Sequence, residues 1–338
     1  MIASAPFRQY LESEACFLYR YILKRILYAI PVLLGVTIIV YVLINAAPGD
    51  PTTALLGNDA TPEAIAQAKA ELGLNRPYLV RLLDYIKDVF LHFDFGISYR
   101  TKIPVIDEVL SRLPVTLKLT FISMGIGSVL GIAAGIISAV KQYSWIDNIT
   151  TVIALFGISV PSFWLALMMV VVFSVNLGWF PPSGSYGVKY YVLPCVTLGL
   201  QAASILMRMT RSSMLEVIRQ DYINTARAKG QSEFVVVMKH ALRNALIPII
   251  TAIGNQTSML IGGSVLVETV FALPGLGKYI IDSINYRDYP AVIGTIIIIS
   301  MMTIVIMLVI DIIYGFVDPR IKATYKRKKG TVTNNGQE

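Results

Sequence analysis

Few side chains in this sequence have the types and spacing that catalysis or metal binding requires. The two cysteines, Cys16 and Cys195, and the two histidines, His92 and His240, all lie far apart along the chain. Metal ligands and disulfide frameworks instead recur at short, regular spacings. The chain also contains no HExxH motif. We therefore expect no metal site, no catalytic residues and no intramembrane enzyme.

One short segment is similar to a phosphate-binding loop, whose pattern GxxxxGK[ST] lets backbone amides and a lysine hold phosphates. Gly277 and Lys278 match this pattern, but Ala272 occupies the position of the first glycine and Tyr279 replaces the hydroxyl residue. The sequence therefore predicts no nucleotide site on this chain.

Four polar residues follow one another inside an apolar run: Asn255, Gln256, Thr257 and Ser258. Four consecutive helical positions cannot share one face, so we expect some of these side chains to line a wet translocation path. Hydrogen bonding between helices explains them equally well. The long apolar runs themselves contain no acid, although ion-coupled carriers and proton-driven pumps usually place acids there.

A charged stretch, INTARAKGQSEFVVVMKHALRNALIP at residues 223–248, lies between two long apolar runs and carries five basic residues and one acid. Its composition fits either a loop that only fixes membrane topology or a contact with a soluble partner. The segments around it are needed to decide between the two.

The composition of the chain is that of a membrane protein. Of its 338 residues, 55% are hydrophobic and only 15% are charged, with a mean hydropathy of +0.64, whereas soluble domains have about 25% charged residues. The net charge of +8 arises from basic residues beside apolar runs, so we expect a lipid bilayer as the partner and no nucleic acid.

Six uncharged runs are long enough to cross the membrane, which takes about 20 helical residues. They must be helical because lipid offers no partner to unpaired backbone groups, so the predicted fold is an all-α membrane protein. Pro31, Pro161, Pro194 and Pro248 are expected to kink these helices or to lie in their end turns. The predicted spans are residues 26–49, 119–140, 148–176, 190–207, 244–267 and 289–310.

The distribution of basic residues predicts the orientation. With the N-terminus inside, cytoplasmic segments hold 18 of the 29 lysines and arginines, and the two short outer loops hold three. The long first loop holds the other eight but exceeds the length over which the positive-inside rule is reliable. We therefore expect both termini to be cytoplasmic.

The first loop, residues 50–118, is expected to be extracytoplasmic and helical. Thr61, Pro62 and Glu63 form a helix start, and Gly73 ends that helix. A second helix, PYLVRLLDYIKDVFLHF, has charged residues on one face and suits either the membrane surface or a partner. Its predicted apolar stripe is Leu82, Tyr85, Ile86, Val89, Phe90 and Phe93.

Small residues repeat every four positions in the second span. Such a ridge lets two helices approach closely in lipid, and we expect it to meet another helix of this chain rather than a second subunit. The ridge consists of Ser123, Gly127, Gly131, Gly135 and Ala139.

Several motifs resemble those of ABC-importer permeases. DYINTARAKG (221–230), followed by KHALRNALIP, is similar to the cytoplasmic loop of that family. Further segments are similar to its dipeptide, oligopeptide and nickel branch, in order over nearly all of the chain after residue 20. These are APGDP (47–51), TLKLT (116–120), RMTRSSMLEV (208–217), FALPGLGKYIIDSINYRDYP (271–290) and YGFVDPR (314–320). The chain thus resembles the B-type permease subunit of a peptide importer.

The chain departs from the general family pattern at two points. Asn224-Thr225-Ala226 stands where the pattern has EAA, with Gly230 as the glycine that follows. Arg243 stands where a proline is expected, and a proline comes only at Pro248. Both changes look typical of the peptide branch.

The resemblance implies that residues 221–230 form a coupling helix that docks into a groove of a cytoplasmic ATPase. Ala226 is expected to face that groove, Gly230 to allow a sharp turn, and Arg227 and Lys229 to meet carboxylates of the ATPase. Apolar residues then return the chain to the bundle: Phe234, Val237, Met238, Ala241 and Leu242. The implied coupling residues are Asp221, Tyr222, Asn224, Thr225, Ala226, Arg227, Ala228, Lys229 and Gly230.

The resemblance further implies a type I ABC-importer permease fold in a prokaryotic cell membrane. The chain would divide into a cytoplasmic segment (1–25), a first span (26–49), an outer loop (50–118), a permease core (114–316) with a coupling loop (208–243), and a basic tail (317–338). The implied partners are a homologous second permease, two ATPase subunits that carry ATP and magnesium, and an extracytoplasmic binding protein. The expected solutes are di- or oligopeptides, with nickel chelates or glutathione as alternatives. An ion-coupled carrier that works alone is the rival from another class.

Overall fold

The computed structural model describes residues 5–46, 50–57 and 60–317, and the side chains of residues 22–46, 50–52, 55–57 and 60–313. Most of the basic tail and part of the APGDP motif lie outside these ranges. Within them every named element is helical, and Ile97 and Pro104 form an isolated bridge. The chain is therefore an all-α membrane protein, as predicted.

The helices up to the middle of the chain are α1 (Ala5–Ala46), α2 (Pro51–Leu56), α3 (Pro62–Glu71), α4 (Tyr78–Lys87), α5 (Val105–Val140), α6 (Trp145–Ser159) and α7 (Ser162–Met169). They are followed by α8 (Val188–Ile218), α9 (Asp221–Ala228), α10 (Glu233–Val235), α11 (Leu242–Gly263), α12 (Val265–Val270), α13 (Leu276–Asn285) and α14 (Tyr289–Val317). π-Helical segments extend α4, α7 and α10, at Asp88–His92, Val170–Asn176 and Val236–Ala241.

Five helical stretches of the described residues are long and apolar enough to cross a membrane: Ile22–Ala46, Val105–Val140, Val188–Ile218, Glu233–Gly263 and Tyr289–Ile313. Each contains most or all of a predicted span. At 36 residues, α5 is about 54 Å long at 1.5 Å per residue, so it extends well beyond the hydrocarbon.

The predicted span 148–176 differs from the expected single helix. It consists of Trp145–Ser159 and Ser162–Asn176, which are bent by 103°. The described residues therefore contain five helices long and apolar enough to cross a membrane, or six if this pair is one broken span. Val160 has the extended conformation favoured before a proline, and Pro161 lacks an N–H to continue the helix. The Gln201 side chain donates to the Val160 carbonyl at 2.9 Å and so supplies a partner to a backbone acceptor at the break.

The described residues fall into two compact units. One is formed by residues up to Lys118 together with Ile261–Val305, and the other by Leu119–Leu260 and the residues from Ile306 onward. The core of the first unit joins α1, α4, α13 and α14 through residues such as Tyr41, Leu82, Leu276 and Ile297. The core of the second unit surrounds α9.

The helices of the first loop form where the sequence predicts them. Thr61 caps α3 by accepting a hydrogen bond from the Ala64 amide at 3.3 Å, and Gly73 has a φ of +66° after the end of that helix. In α4 and its π-helical extension, Leu82 and Val89 are buried. Phe93 is 68% exposed and was wrongly included in the stripe, because the helix ends at His92 and Phe93 has a φ of +55°.

Candidate functional site

The loop after α8 folds into the short amphipathic helix α9. Ile223 and Ala226 are buried and lie three residues apart, so they share one face of the helix. Asp221 lies in the first turn and Arg227 in the last, the positions that suit the helix dipole. The exposed residues of the loop are Asp221, Tyr222, Asn224, Thr225, Ala228, Lys229 and Gly230. The helix therefore lies on its own chain and presents a polar face outward.

Gly230 has the backbone conformation that the sequence predicts. Its φ is +76°, in the left-handed region that costs other residues roughly 1 kcal/mol or more. Its amide donates to the Arg227 carbonyl at 2.9 Å, and a Cβ at this position would meet nothing within 4 Å. The glycine is thus needed for the reversal between α9 and α10 and not for a close contact.

The predicted orientation of Ala226 is wrong. Ala226 is 6% exposed and packs in the core of its own chain, in a cluster that includes Ile223, Val236 and Val237. The short α9 cannot be stable alone, so its small and apolar residues are used to hold it against the segment that follows. The outward face available to a partner is that of Asn224, Thr225 and Ala228.

Arg227 is already paired within the chain, contrary to the expectation that it meets a partner. Its guanidinium donates to both carboxylate oxygens of Glu233, at 2.7 and 3.1 Å. These hydrogen bonds raise the pKa of Arg227 above its ordinary value. Lys229, the other cation expected to meet the ATPase, is exposed. Of Arg227 and Lys229, it is therefore Lys229 that a carboxylate of a partner can reach.

The apolar residues expected to return the chain to the bundle divide into two groups. Val237 and Ala241 are buried in the same core as Ala226, with Leu242 packed against it. Phe234 and Met238 are 74% and 41% exposed, so the expectation is wrong for these two. They line an open groove of about 250 Å³ together with Ile136, Ile137, Val140, Lys141, Glu233 and Val237.

A buried ion pair joins α8, which leads into α9, to the first turn of α6. Asp147 is 2% exposed, and Arg211 donates to its two oxygens at 2.7 and 2.9 Å. Asp147 also accepts from the Ser138 hydroxyl and from the Tyr143 amide, the latter at 3.0 Å. Buried charges of this kind need such pairing and hydrogen bonding. The C-terminal part of α8 is therefore fixed to its neighbours just before α9.

The sequence alone did not predict that Asp147 is the partner of Arg211. The two residues are 64 positions apart, so no periodicity connects them. The available signal was an acid and an arginine at the ends of apolar runs, where an ionisable side chain needs a partner.

The ridge of small residues packs against α8 of the same chain. A Cβ at Gly127 would lie 2.7 Å from the Ala202 Cβ, and one at Gly131 would lie 2.6 Å from the Ala203 carbonyl oxygen. At Gly135 the corresponding distance is 2.6 Å to the Thr210 Cβ. Real Cβ atoms do not approach so closely, so the glycines allow α5 and α8 to touch. Ser123 and Ala139, at the two ends of the ridge, are also buried.

The polar row in α11 does not act as one group. Thr257 is buried and its hydroxyl donates to the Ile253 carbonyl of its own helix at 2.8 Å. Gln256 and Ser258 are half-buried, whereas Asn255 is exposed. Asn255 shares its exposed face with Met259, four residues later, which is 68% exposed. Asn255 is thus the member of the row whose side chain reaches outside the chain.

The segment that is similar to a phosphate-binding loop forms the N-terminus of α13. The Glu268 carboxylate, which is fully buried, accepts from the Lys278 amide at 3.1 Å, the Ser264 hydroxyl at 2.9 Å and the Thr116 hydroxyl at 2.8 Å. Thr116 in turn accepts from the Leu276 amide at 2.8 Å. The start of α13 is therefore capped by two side chains from elsewhere in the chain.

A second carboxylate, that of Asp288, makes the contacts of the chain just after α13. Asp288 is 3% exposed and accepts from the backbone amides of Tyr99 and Arg100, at 3.0 and 3.3 Å, and from the Ser98 hydroxyl. Beside it lies a cavity of about 140 Å³, whose lining includes Arg100, Arg112, Lys278, Tyr279 and Asp282. Burial raises the pKa of the Tyr279 hydroxyl to about 12, so this side chain stays neutral.

Comparison with known families identifies the chain. The pattern of the family described as the binding-protein-dependent transport system inner membrane component matches residues 131–323, which is more than half of the chain. The chain belongs to this family. The pattern for the N-terminal part of such membrane components matches residues 18–120 of the permease.

Two named relatives match the permease over 89% of its length. The dipeptide transport system permease DppB of Alkalihalophilus pseudofirmus is 43% identical, with 99% of its own length covered. The glutathione transport system permease GsiC of Escherichia coli K12 is 42% identical, with 98% of its length covered. Among solved structures, a chain of the MetNI methionine ABC transporter in an inward-facing conformation matches with a TM-score of 0.53 and 25% identity, over 63% of the permease and 97% of that chain.

These matches confirm the resemblance noted from the motifs. The protein is a multi-pass inner-membrane permease of the ABC importer type, and it functions as one component of a transporter complex. Its role is transport. Its residues therefore matter for the conformation of the helices that surround the solute.

Proposed function

We propose that the permease forms the solute pathway of an ATP-driven importer and that α9 is the helix through which a cytoplasmic ATPase moves it. The observation that carries this proposal is the division of α9 into a face packed on its own core, through Ile223 and Ala226, and a polar face left exposed. A helix that receives force from a partner needs both. Its inner face must be attached to the spans, and its outer face must be accessible.

The Asp147–Arg211 ion pair supports the same proposal. Gly230 and the Arg227–Glu233 pair hold the far end of α9, while Arg211 holds the C-terminal part of α8 to the first turn of α6. Interfaces of this kind move as rigid bodies between discrete arrangements. A displacement of α9 is therefore expected to move α8 with α5 and α6 instead of being absorbed by the loop.

The proposed complex contains a homologous second permease, two ATPase subunits that bind ATP and magnesium, and an extracytoplasmic binding protein. The family description, which refers to binding-protein-dependent transport, and the likeness to a chain of an ABC transporter support these partners. The basic residues support the orientation, with both termini and the 208–243 loop in the cytoplasm. In this complex Asn255 is the residue of α11 that we assign to the solute pathway.

The proposed solutes are di- or oligopeptides. The dipeptide permease at 43% identity supports this class. Glutathione is a second candidate because a glutathione permease matches almost as well, at 42% identity. Since a binding protein does much of the selection, purification of the native complex with its binding protein and identification of the bound ligand would distinguish the two.

The test of the transport proposal is reconstitution of the permease in liposomes, with and without the subunits that co-purify with it. We expect uptake of labelled dipeptide only when the ATPases, ATP and the binding protein are all present. Uptake by the permease alone, driven by an ion gradient, would instead identify an ion-coupled carrier and contradict the proposal.

A further inference from the structure

The helix α4 has an exposed apolar face that its packing within the chain does not explain. At about 100° per residue, Tyr78, Leu82, Tyr85 and Val89 form one stripe, and this stripe packs in the core of the first unit. Leu79 and Leu83 lie about 100° away from Tyr78 and Leu82 and are 68% and 66% exposed. Two leucines in neighbouring turns of one helix thus project away from the protein.

The charged residues of α4 lie on its remaining side. Arg81 and Asp84 project about 70° and 130° from the centre of the packed stripe, on the side away from Leu83. Lys87 projects about 170° from that centre and lies next to Leu83. Asp84 is paired with Arg76 at 3.0 Å, with side chains 49% and 63% exposed. The helix therefore has a protein-facing stripe, an apolar exposed stripe and a charged side, which is the arrangement of a helix that lies in a membrane interface.

The contact of α4 with Tyr41 of α1 indicates how deep α4 lies in the membrane. The Tyr41 ring of α1 lies 5.5 Å from the Tyr78 ring and 5.9 Å from the Tyr85 ring, between centroids. The uncharged part of the span Ile22–Ala46 begins at Ile26, after Lys24 and Arg25. From Ile26, about 20 residues at 1.5 Å each cover the roughly 30 Å of hydrocarbon and end near Ala46. Tyr41 is thus about 7 Å from the edge of the hydrocarbon at that end, close to the interface at which tyrosines are enriched.

The lipid-facing surface of α1 is continuous with this site. Val42 and Leu43, the neighbours of Tyr41, are 43% and 64% exposed on a helix that crosses the membrane. We propose that α4 lies in the headgroup region on the side of the membrane where α1 ends, with Leu79 and Leu83 inserted among the acyl chains. The occupant of this face is phospholipid, and the helix anchors the loop that carries it to the membrane surface.

Spin labels test this placement independently of the solute and of the energy source. The native Cys16 and Cys195 are replaced (Cys16→Ser, Cys195→Ala), and Leu83→Cys or Leu79→Cys is labelled in the complete complex, reconstituted in phosphatidylethanolamine and phosphatidylglycerol liposomes. Asp84→Cys is the matched control, one residue from Leu83 but about 100° around the helix. We measure relaxation by oxygen, which concentrates in lipid, and by a water-soluble nickel complex.

At Leu79 and Leu83 we expect strong relaxation by oxygen and weak relaxation by the nickel complex, with the reverse at Asp84. Two results would overturn the proposal. If the nickel complex reaches Leu83 as readily as Asp84, the face is in water. If neither reagent reaches it, another protein surface covers it. Because Leu79 and Leu83 are tested separately, one variant that fails to assemble leaves the other as the test.

Discussion

Gly230 and Ala226 lie four residues apart in the loop that follows α8, but they restrict that loop for different reasons. Gly230 has open space around it and is constrained by a φ of +76°. Ala226 has an ordinary helical backbone and is constrained by the core around it, where it is 6% exposed. A larger side chain at Ala226 would therefore detach α9 from its own chain, whereas one at Gly230 would change the direction in which the chain leaves α9.

For Gly230→Val we expect a membrane-inserted complex that has lost uptake and substrate-stimulated ATP hydrolysis, because valine disfavours the left-handed conformation by roughly 1–2 kcal/mol. The measurements are both activities in liposomes and ligand binding by the separate binding protein, which should be unchanged. Gly178→Val is the matched control, since Gly178 has a φ of +64° and also has nothing within 4 Å of its Cβ position. Wild-type transport by Gly230→Val, or equal loss in both variants, would contradict the coupling role.

At the scale of elements, α8 is the helix against which its neighbours are held. Its small residues meet the glycine ridge of α5, Gln201 donates to the break after α6, and Arg211 pairs with Asp147. In lipid, such packing and hydrogen bonding replace the hydrophobic effect as the source of helix association. Two of these contacts can be tested by substitutions that have close controls elsewhere in the chain.

Gly131→Leu is expected to abolish assembly, since its Cβ alone would lie 2.6 Å from the Ala203 carbonyl oxygen and 2.8 Å from the Leu206 Cβ. The backbone of α8 cannot yield to this without separating the two helices. Gly125→Leu on the same helix is the control, because a Cβ there meets nothing within 4 Å. Amounts of assembled complex, measured by size-exclusion chromatography, should fall only for Gly131→Leu. Equal yields of the two would mean that the contact of α5 with α8 is dispensable.

Asp147→Asn is expected to lower the free energy of unfolding by about 1–3 kcal/mol, because it leaves the Arg211 guanidinium without the carboxylate that it pairs with. The side chains of Arg211 and Asp147 are 27% and 3% exposed in this pair. Glu233→Gln removes the partner of Arg227 from a pair whose side chains are 36% and 53% exposed, and it should cost only about 0–1 kcal/mol. Thermal unfolding of the purified complexes measures both. Similar losses in the two variants would show that burial does not distinguish these pairs.

At the scale of the whole molecule, the charge distribution supports the side of the membrane proposed for each loop. The tail and the 208–243 loop are rich in lysine and arginine, whereas the loops around Tyr186 and α13 are not. Moving a basic segment across the membrane is opposed during insertion. The proposed orientation rests on this asymmetry and not on the packing of the helices.

Cysteine labelling tests the orientation in a background without Cys16 and Cys195. Ser232→Cys, next to α10, should resist an impermeant thiol reagent in intact cells and react after lysis. Tyr186→Cys should react in intact cells, since Tyr186 is 89% exposed between α7 and α8. Reaction of Ser232→Cys from outside would reverse the topology and place α9 beyond the reach of a cytoplasmic ATPase.

Local signals in the sequence predicted the helices of the first loop, the left-handed Gly230 and most of the membrane-crossing stretches. Helix caps, prolines, glycines and the length of an apolar run each determine the structure of the residues nearby. Each can therefore be recognised within a single segment of the sequence. The burial of Ala226 depends on Val236 and Val237, which follow a reversal of the chain. The Asp147–Arg211 pair depends on residues 64 positions apart. Such features were missed because they are created only when distant segments pack.

The segment at residues 272–279 is similar to a nucleotide-binding loop, but the backbone at its helix N-terminus donates to the side chain of Glu268. A helix N-terminus attracts an anion because its first amides lack partners. Here the protein supplies that anion itself, with the Glu268 carboxyl carbon 2.5 Å from where a Cβ at Gly275 would lie. Glycine is required at Gly275 to make room for the protein's own carboxylate and not for a phosphate. The Glu268 side chain thus occupies the position at the helix N-terminus where the phosphate of a nucleotide would bind.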